Sequence, residues 1–279
     1  MNETSRRSRF ALGKAGAPGR LLPVAAAFAW FFGGWWALAE FAGIPPYLLP
    51  PPQQVLMTLY RLLTVLDPGT RGLWLDILDS IGRQLAGFAG SVVLGVPLGI
   101  VCGYFGKALL GIDRVVRIAY PIPTIAWIPL VLIWFGPGTS AITFMVFIAA
   151  FWPTYMQAFE GTRQLSTRYL RVARSLGASR KAIIVAILVP GGLPYLLNGL
   201  RLGYGEAWRL LVAAEMLLAT TGLGQHIQVS RSMLEVDKII AGMIVIGLLG
   251  FLVERFVFDR VELATLGSWY RREEGAEIG

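Results

Sequence analysis

The segment that decides the fold of this chain reads RVARSLG at residues 171–177 and, after nine further residues, ILVP at residues 187–190. It is basic, and it separates two apolar runs that are each long enough to cross a lipid bilayer. A segment in that position lies at a membrane surface. We predict that a short amphipathic helix, a glycine and a return into the membrane that ends in a proline form a docking site there.

The composition of the chain predicts an integral membrane protein. Of its 279 residues, 55% are hydrophobic and 15% are charged, whereas a soluble domain of this size carries about 25% charged residues. The mean hydropathy is +0.61. The net charge of +8 would suggest nucleic acid binding in a soluble protein, but in a membrane protein basic cytoplasmic loops explain it.

Six apolar segments have the length of about 20 residues that a membrane span requires. They are residues 21–42, 84–105, 112–135, 140–160, 191–218 and 239–259. The first also resembles a cleaved secretory signal, although its length and its tryptophans favour a retained span. We predict an all-α integral membrane protein with one transmembrane domain at about 21–260, an N-terminal tail at 1–20 and a C-terminal tail at 261–279.

The distribution of lysine and arginine predicts the orientation of the chain. These residues concentrate in the two tails, in the loop after the second span and in segment 163–190. Because such loops stay in the cytoplasm, we expect both termini and segment 163–190 to be cytoplasmic. Segment 43–83 is then external, and the apolar spacing within 53–66 predicts an amphipathic helix there. The basic residues assigned to the external side are Arg61, Arg71, Arg83, Arg231 and Lys238.

The second span carries a small residue at every fourth position. These residues are Gly87, Ser91, Gly95, Gly99 and Gly103. Such a stripe allows another helix to approach closely. We favour packing inside the subunit, and the alternative is a helix that slides or packs at a subunit interface.

The third span contains Pro121, Pro123 and Pro129. Proline frees backbone carbonyl groups, which membrane proteins tolerate only where neighbouring groups or a water-filled cavity satisfy them. A straight, lipid-facing helix is therefore not expected. Two hypotheses stay open for this span, a kinked core helix and a helix that lines a translocation pathway.

The fifth span contains charged residues at depth, which are costly and usually face the protein interior or water. They are Arg201, Glu206, Arg209 and Glu215. Glu206 and Arg209 are three positions apart and share a helical face, so we favour a structural ion pair. The alternative is that Arg209 helps to form an anion-friendly pathway. His226, the only histidine, lies in the following external loop and has no evident ligand.

Enzymatic motifs are absent from the sequence. Gly106-Lys107 lacks the upstream glycine and the following Ser or Thr of a P-loop. With one histidine and the single cysteine Cys102, we expect no metal centre, no catalytic residue and no cofactor bound by this chain. If transport is active, the energy must come from a partner that contacts the basic segment.

The basic segment resembles the EAA loop of permeases from ABC importers, whose pattern is Glu-Ala-Ala, three residues, Gly, nine residues and Ile-x-Leu-Pro. The matching residues are Ala173, Gly177, Ile187 and Pro190, and the departures are Arg171, Val172 and Val189. Further runs at 130–136, 190–194, 199–201 and 207–215, with the proline-rich segment 48–55, resemble the nitrate, sulfonate and taurine branch. The resemblance covers about residues 45–265.

This resemblance implies the type I importer permease fold with a cytoplasmic coupling helix in the bacterial inner membrane. It implies a second permease copy, two ATPase subunits that bind ATP and Mg²⁺, and a periplasmic or lipid-anchored substrate-binding protein. The expected coupling loop is 163–190, with Arg171, Ala173, Arg174, Gly177, Ala178, Ser179 and Pro190 as its contact residues. The expected pathway residues are Pro121, Pro123, Pro129, Arg201, Glu206 and Arg209. The expected solute is small and anionic, such as a sulfonate, taurine or nitrate.

Two other functional classes remain at this point. One is a secondary transporter that works without ATP, and the other is a membrane scaffold that transports nothing. Broken helices are common in secondary transporters, but the sequence shows no internal repeat. Copurification with an ATPase would separate the importer from both alternatives.

Overall fold

The computed structural model describes residues 18–64 and 72–265, and in these two ranges the secondary structure is helical throughout, without a strand. The helices in chain order are α1 (Pro18–Phe41), α2 (Pro52–Thr64), α3 (Leu73–Phe105), α4 (Leu110–Ala119), α5 (Ile128–Phe135), α6 (Thr139–Ser175), α7 (Arg180–Gly191), α8 (Leu193–Leu218), α9 (Leu223–Ser232) and α10 (Val236–Thr265). A 3₁₀ turn at Thr124–Trp127 precedes α5. The all-α prediction is confirmed. Both predicted tails lie largely outside the described residues.

Three of these helices are long and apolar enough to cross a membrane, namely α3, α6 and α10. Two bent pairs, α4 with α5 and α7 with α8, raise the possible number of spans to five. Helix α1 has 24 residues and covers most of the first predicted span. Its side chains are largely exposed on the subunit, with Trp30 at 82%.

The third predicted span, residues 112–135, is wrong as a single helix. Its two halves meet at a bend of 97°. Pro121 and Pro123 explain the break, because proline provides no N–H and the residue before it avoids the helical conformation. The predicted helix break is therefore present, and it separates α4 from α5.

The boundaries of the other spans also differ from the prediction. Helix α3 begins at Leu73, so Arg83, which the sequence assigned to external segment 43–83, lies inside this helix. Helix α6 continues without a break to Ser175, so the first part of predicted loop 163–190 extends a membrane helix. The fifth span is preceded by α7, which meets α8 at a bend of 65°.

Helices α3, α6 and α8 form the core of the subunit. The small residues of α3 lie against α6, where a Cβ atom on Gly99 would stand 2.6 Å from the carbonyl oxygen of Tyr155. A Cβ on Gly87 would stand 2.6 Å from the carbonyl oxygen of Thr143. Contacts this close depend on the missing side chain, which is how small residues promote packing in membranes. The structure thus places the glycine stripe at a contact inside the subunit.

Helices α2 and α9 lie at the end of the bundle where α3 and α10 begin. Val55 of α2 is buried, and the Thr58 hydroxyl donates a 2.7 Å hydrogen bond to the Asp237 carboxylate of α10. The amphipathic helix predicted for 53–66 is therefore present as Pro52–Thr64, and its last two residues lie outside the described ranges.

Candidate sites for coupling and translocation

The segment between α6 and α7 is a preformed tight turn. The N–H of Ala178 donates to the carbonyl of Ala173 at 3.0 Å, and the N–H of Gly177 donates to the carbonyl of Arg174 at 3.1 Å. This pair of bonds is the Schellman arrangement that ends many helices. It places Gly177 at a φ of +75°, a conformation that costs an L-residue about 1–2 kcal/mol. The glycine is therefore required by the backbone of the turn.

Ser179 begins the next helix immediately after this turn. Its hydroxyl accepts a hydrogen bond of 3.2 Å from the N–H of Ala182, the usual contact of an N-terminal helix cap. Behind the turn, Ala173, Ile183 and Leu188 form a buried apolar cluster. The two helices are thus fixed relative to each other across only four residues, 176–179.

The tip of the turn exposes apolar side chains. Leu176 is 82% exposed and Val172 is 61% exposed. A Cβ added to Gly177 would have no heavy atom within 4 Å in this subunit. Arg171 belongs to α6, but its side chain lies outside the described residues. We define residues 172–180 as the coupling turn, a rigid projection with an apolar tip and basic neighbours.

Pro190 follows a π-helical turn at Ile184–Leu188. Turns of this kind inside α-helices are frequent at functional sites. Because Pro190 has no N–H, regular helical hydrogen bonding cannot continue through it. The chain then bends into α8, so the coupling turn is linked to the central helix of the core through a short, irregular connection.

A buried ion pair joins α3 to α8 near the other end of the bundle. Nη1 of Arg83 lies 2.7 Å from Oε1 of Glu215, and the two side chains are 6% and 0% exposed. Ser80 also donates to this carboxylate at 2.8 Å. Arg83 further donates to the backbone oxygen and the hydroxyl of Thr221. We call this group the buried pair.

The buried pair also holds the first turn of α9. The N–H groups of Gly222, Leu223 and Gly224 donate at 2.9 Å to the side chains of Asp76, Ser80 and Glu215, respectively. The free N–H groups of a helix N-terminus are thereby satisfied. The sequence marks Glu215 as a charge within the fifth span, but it gives no sign of the partner, because Arg83 lies just before the second predicted span.

A second ion pair lies on the surface of α8. Nη2 of Arg209 is 2.8 Å from Oε1 of Glu206, and the side chains are 68% and 57% exposed. The structure therefore forms the contact that the spacing suggested, and it directs both groups out of the subunit. We call this group the exposed pair. It lies near the middle of α8, with Leu202 and Leu217 exposed on either side along the helix.

Arg201 and the three prolines of the third predicted span have different neighbours from those of the exposed pair. Arg201 forms ion pairs with Asp259 and, at 3.3 Å, with Glu262 of α10. It is thus joined to a neighbouring helix and not to Glu206 or Arg209. Pro121, Pro123 and Pro129 are exposed on the subunit surface, as is much of α5, where Ile133 reaches 80%.

A cavity of about 710 Å³ lies between α2, α3, α9 and α10. We call it the outer cavity. Charged residues of both signs line it, namely Arg61, Asp76, Glu235, Asp237 and Lys238, together with His226. Burial lowers the pKa of His226, and the charge of Lys238 acts in the same direction, whereas Asp76 and Glu235 oppose it. Within the described residues, no group of three or more His, Cys, Asp or Glu side chains could hold a metal ion.

Comparison with known proteins identifies the family to which this chain belongs. Residues 95–261 match the model of the family described as the binding-protein-dependent transport system inner membrane component. The taurine transport system permease protein of Escherichia coli strain K12 is 37% identical over 223 residues, covering 79% of this chain and 80% of that protein. The nitrate import permease protein of Synechocystis is 34% identical over 215 residues, covering 75% and 78%.

The fold agrees with that assignment. The permease in inward-facing structures of the MetNI methionine ABC transporter superposes with a TM-score of 0.61 at 19% identity, covering 69% of this chain and 95% of the other. The chain is therefore a multispan importer permease of the ABC class. It belongs to the family of binding-protein-dependent transport system inner membrane components. This membership favours the importer over the secondary transporter and the scaffold.

Proposed function

We propose that two copies of this chain form the pathway through which an ABC importer moves a small solute with an anionic group. The observation that carries this proposal is the exposed pair. Charged groups near the middle of a span cannot face lipid without a large cost, yet these two side chains point away from their own subunit. A second copy packed against this face would enclose them in a polar pathway.

The relatives support the solute class. One is a permease of a taurine transport system, another imports nitrate, and a third, from Synechococcus elongatus, belongs to a bicarbonate transport system. All three solutes are small and carry an anionic oxygen-rich group. Because Glu206 neutralises Arg209, the exposed pair offers an arginine to the solute without a net positive charge. Such a surface lets an anion pass without binding it tightly.

Energy for this transport enters through the coupling turn in our proposal. The chain itself hydrolyses no ATP, and a partner ATPase binds the exposed tip formed by Val172 and Leu176. Both termini and this turn face the cytoplasm, as the distribution of basic residues indicates. A cysteine at Leu176 should then resist an impermeant thiol reagent in intact cells, whereas one at Gln53 should react. Labelling at Leu176 from outside would contradict this orientation.

The experiment for the coupling role is the substitution Gly177→Leu. A leucine would strain the turn and add bulk at the surface that we assign to the ATPase, where overpacking typically costs about 1–3 kcal/mol and changes a coupling equilibrium roughly 5- to 150-fold. We expect normal membrane insertion but no ATP hydrolysis stimulated by the loaded binding protein. The assay is the ATPase activity of the reconstituted complex.

Two controls sharpen this experiment. Asparagine tolerates a positive φ, so Gly177→Asn should keep more stimulation than Gly177→Leu if backbone strain causes the loss. Gly111 also has free space around it but an ordinary φ, so Gly111→Leu should stay close to wild type. Wild-type stimulation in the Gly177→Leu complex would mean that energy enters elsewhere.

A further inference from the structure

The outer cavity has the size and lining of a small-molecule site. Its volume of about 710 Å³ falls within the range of roughly 300–1,000 Å³ that is usual for ligand pockets. Four helices contribute to its walls, and Thr220, Thr221, Gln225 and Ser230 add polar groups between the charged ones. It lies beside the buried pair, at the end of the bundle that we assign to the external side.

Arg61 is the cation of the lining that could bind an anionic group. Within the described residues, Arg61 has no carboxylate partner and contacts the sulfur of Met57 at 3.7 Å. Lys238 differs, because its ammonium group lies 2.8 Å from the carboxylate of Glu235. A guanidinium group binds carboxylate, sulfonate or phosphate oxygens through two parallel hydrogen bonds.

The carboxylates of the lining favour a ligand that also carries a positive charge. Among the described residues of the lining, Asp76, Glu235 and Asp237 outnumber the two cations Arg61 and Lys238. Asp237 accepts one hydrogen bond from Thr58, which leaves acceptor capacity on its carboxylate. The Nε2 atom of His226 is buried without a hydrogen-bond partner among the described residues. The cavity thus offers both an anion-binding and a cation-binding wall.

We propose that the outer cavity binds a small zwitterion, with Arg61 contacting its anionic group and the carboxylates of Asp76 and Asp237 contacting its ammonium group. This inference deepens the proposed import function, on which it rests for the nature of the solute. It narrows the solute class from anions in general to molecules that carry both charges. It also gives the permease a solute site of its own outside the membrane core.

The test is direct binding to the permease–ATPase complex in lipid nanodiscs, with no binding protein present. Three probes of the same length separate the possibilities. Taurine carries an ammonium and a sulfonate group, isethionate replaces the ammonium by a hydroxyl group, and ethanolamine keeps the ammonium but lacks the sulfonate. By calorimetry we expect saturable binding of taurine and at least about tenfold weaker binding of the other two, since each lacks a charge-assisted hydrogen bond.

Matched variants locate the site. Arg61→Gln should weaken taurine binding about tenfold or more, whereas Arg231→Gln, an exposed arginine of α9 outside the cavity lining, should leave it unchanged. Equal binding of isethionate, no binding of taurine, or an unchanged affinity in Arg61→Gln would overturn the proposal. Loss of taurine binding in a Glu206→Gln and Arg209→Met double variant, together with an unchanged affinity in Arg61→Gln, would place the solute in the pathway and leave the import function standing.

Discussion

Helix α8 carries two ion pairs that differ in almost every respect. The buried pair links Glu215 to Arg83 of α3, with exposures of 0% and 6%. The exposed pair links Glu206 to Arg209 one turn apart on the same helix, with exposures of 57% and 68%. Both place charge within a membrane span. Two ion pairs on one helix thus have different surroundings, because one points into the subunit and the other points away from it.

The buried pair stabilises the fold of the subunit. Its carboxylate accepts hydrogen bonds from Ser80, Arg83 and the N–H of Gly224. Burial of an ion pair costs desolvation, and removal of one partner is strongly destabilising because it leaves the other charge buried and uncompensated. The pair therefore fixes α3, α8 and the first turn of α9 to one another. The exposed pair has no such network among the described residues, and the groups that enclose it in the membrane must belong to another molecule.

Breaking the buried pair should have the largest effect. Glu215→Ala leaves the guanidinium of Arg83 buried without its counter-charge, and such losses typically destabilise by about 3–5 kcal/mol. We expect little folded permease in detergent. The measurement is the thermal unfolding midpoint and the yield of the purified complex. A partial recovery in Glu215→Gln with Arg83→Met would support the explanation by unpaired charge, and an undiminished yield of Glu215→Ala would refute it.

A smaller loss of stability is expected when both members of the buried pair are kept and a larger side chain is placed beside them. Gly222 has a φ of +114°, and a Cβ there would lie 2.5 Å from Oε1 of Glu215 and 2.7 Å from Nη1 of Arg83. Gly222→Ala should therefore destabilise by about 1–3 kcal/mol through overpacking. The control is Gly82→Ala on α3, where no heavy atom lies within 4 Å of the new methyl group. Equal unfolding midpoints for the two variants would contradict the packing argument.

The sequence predicted the helical fold and the position of the coupling turn because both depend on local patterns. Apolar length marks the spans, and Gly177 marks a turn that needs a positive φ. It did not predict the partner of Glu215, because Arg83 lies one residue before the apolar run taken as the second span. Nor did it predict the outer cavity, whose lining joins α2 and α3 to α9 and α10, two parts of the chain that are distant in sequence. Such tertiary contacts carry no local signal.

The exposed pair should contribute least to stability. Exposed ion pairs are usually worth no more than about 1 kcal/mol, and replacing both members leaves no unpaired charge. Glu206→Gln with Arg209→Met should therefore unfold within a few degrees of wild type and retain its ATPase partner. A loss of folded protein as large as that of Glu215→Ala would remove the distinction between the two pairs.

Solute uptake by this double variant tests the central claim most directly. Proteoliposomes containing the complete importer, with equal amounts of assembled complex, would be supplied with loaded binding protein and ATP. If the exposed pair lines the pathway between two subunits, uptake should fall at least about tenfold, the scale of a lost charge-assisted contact, while assembly is unchanged. Wild-type uptake in the double variant would show that Glu206 and Arg209 only balance each other and that the solute passes elsewhere.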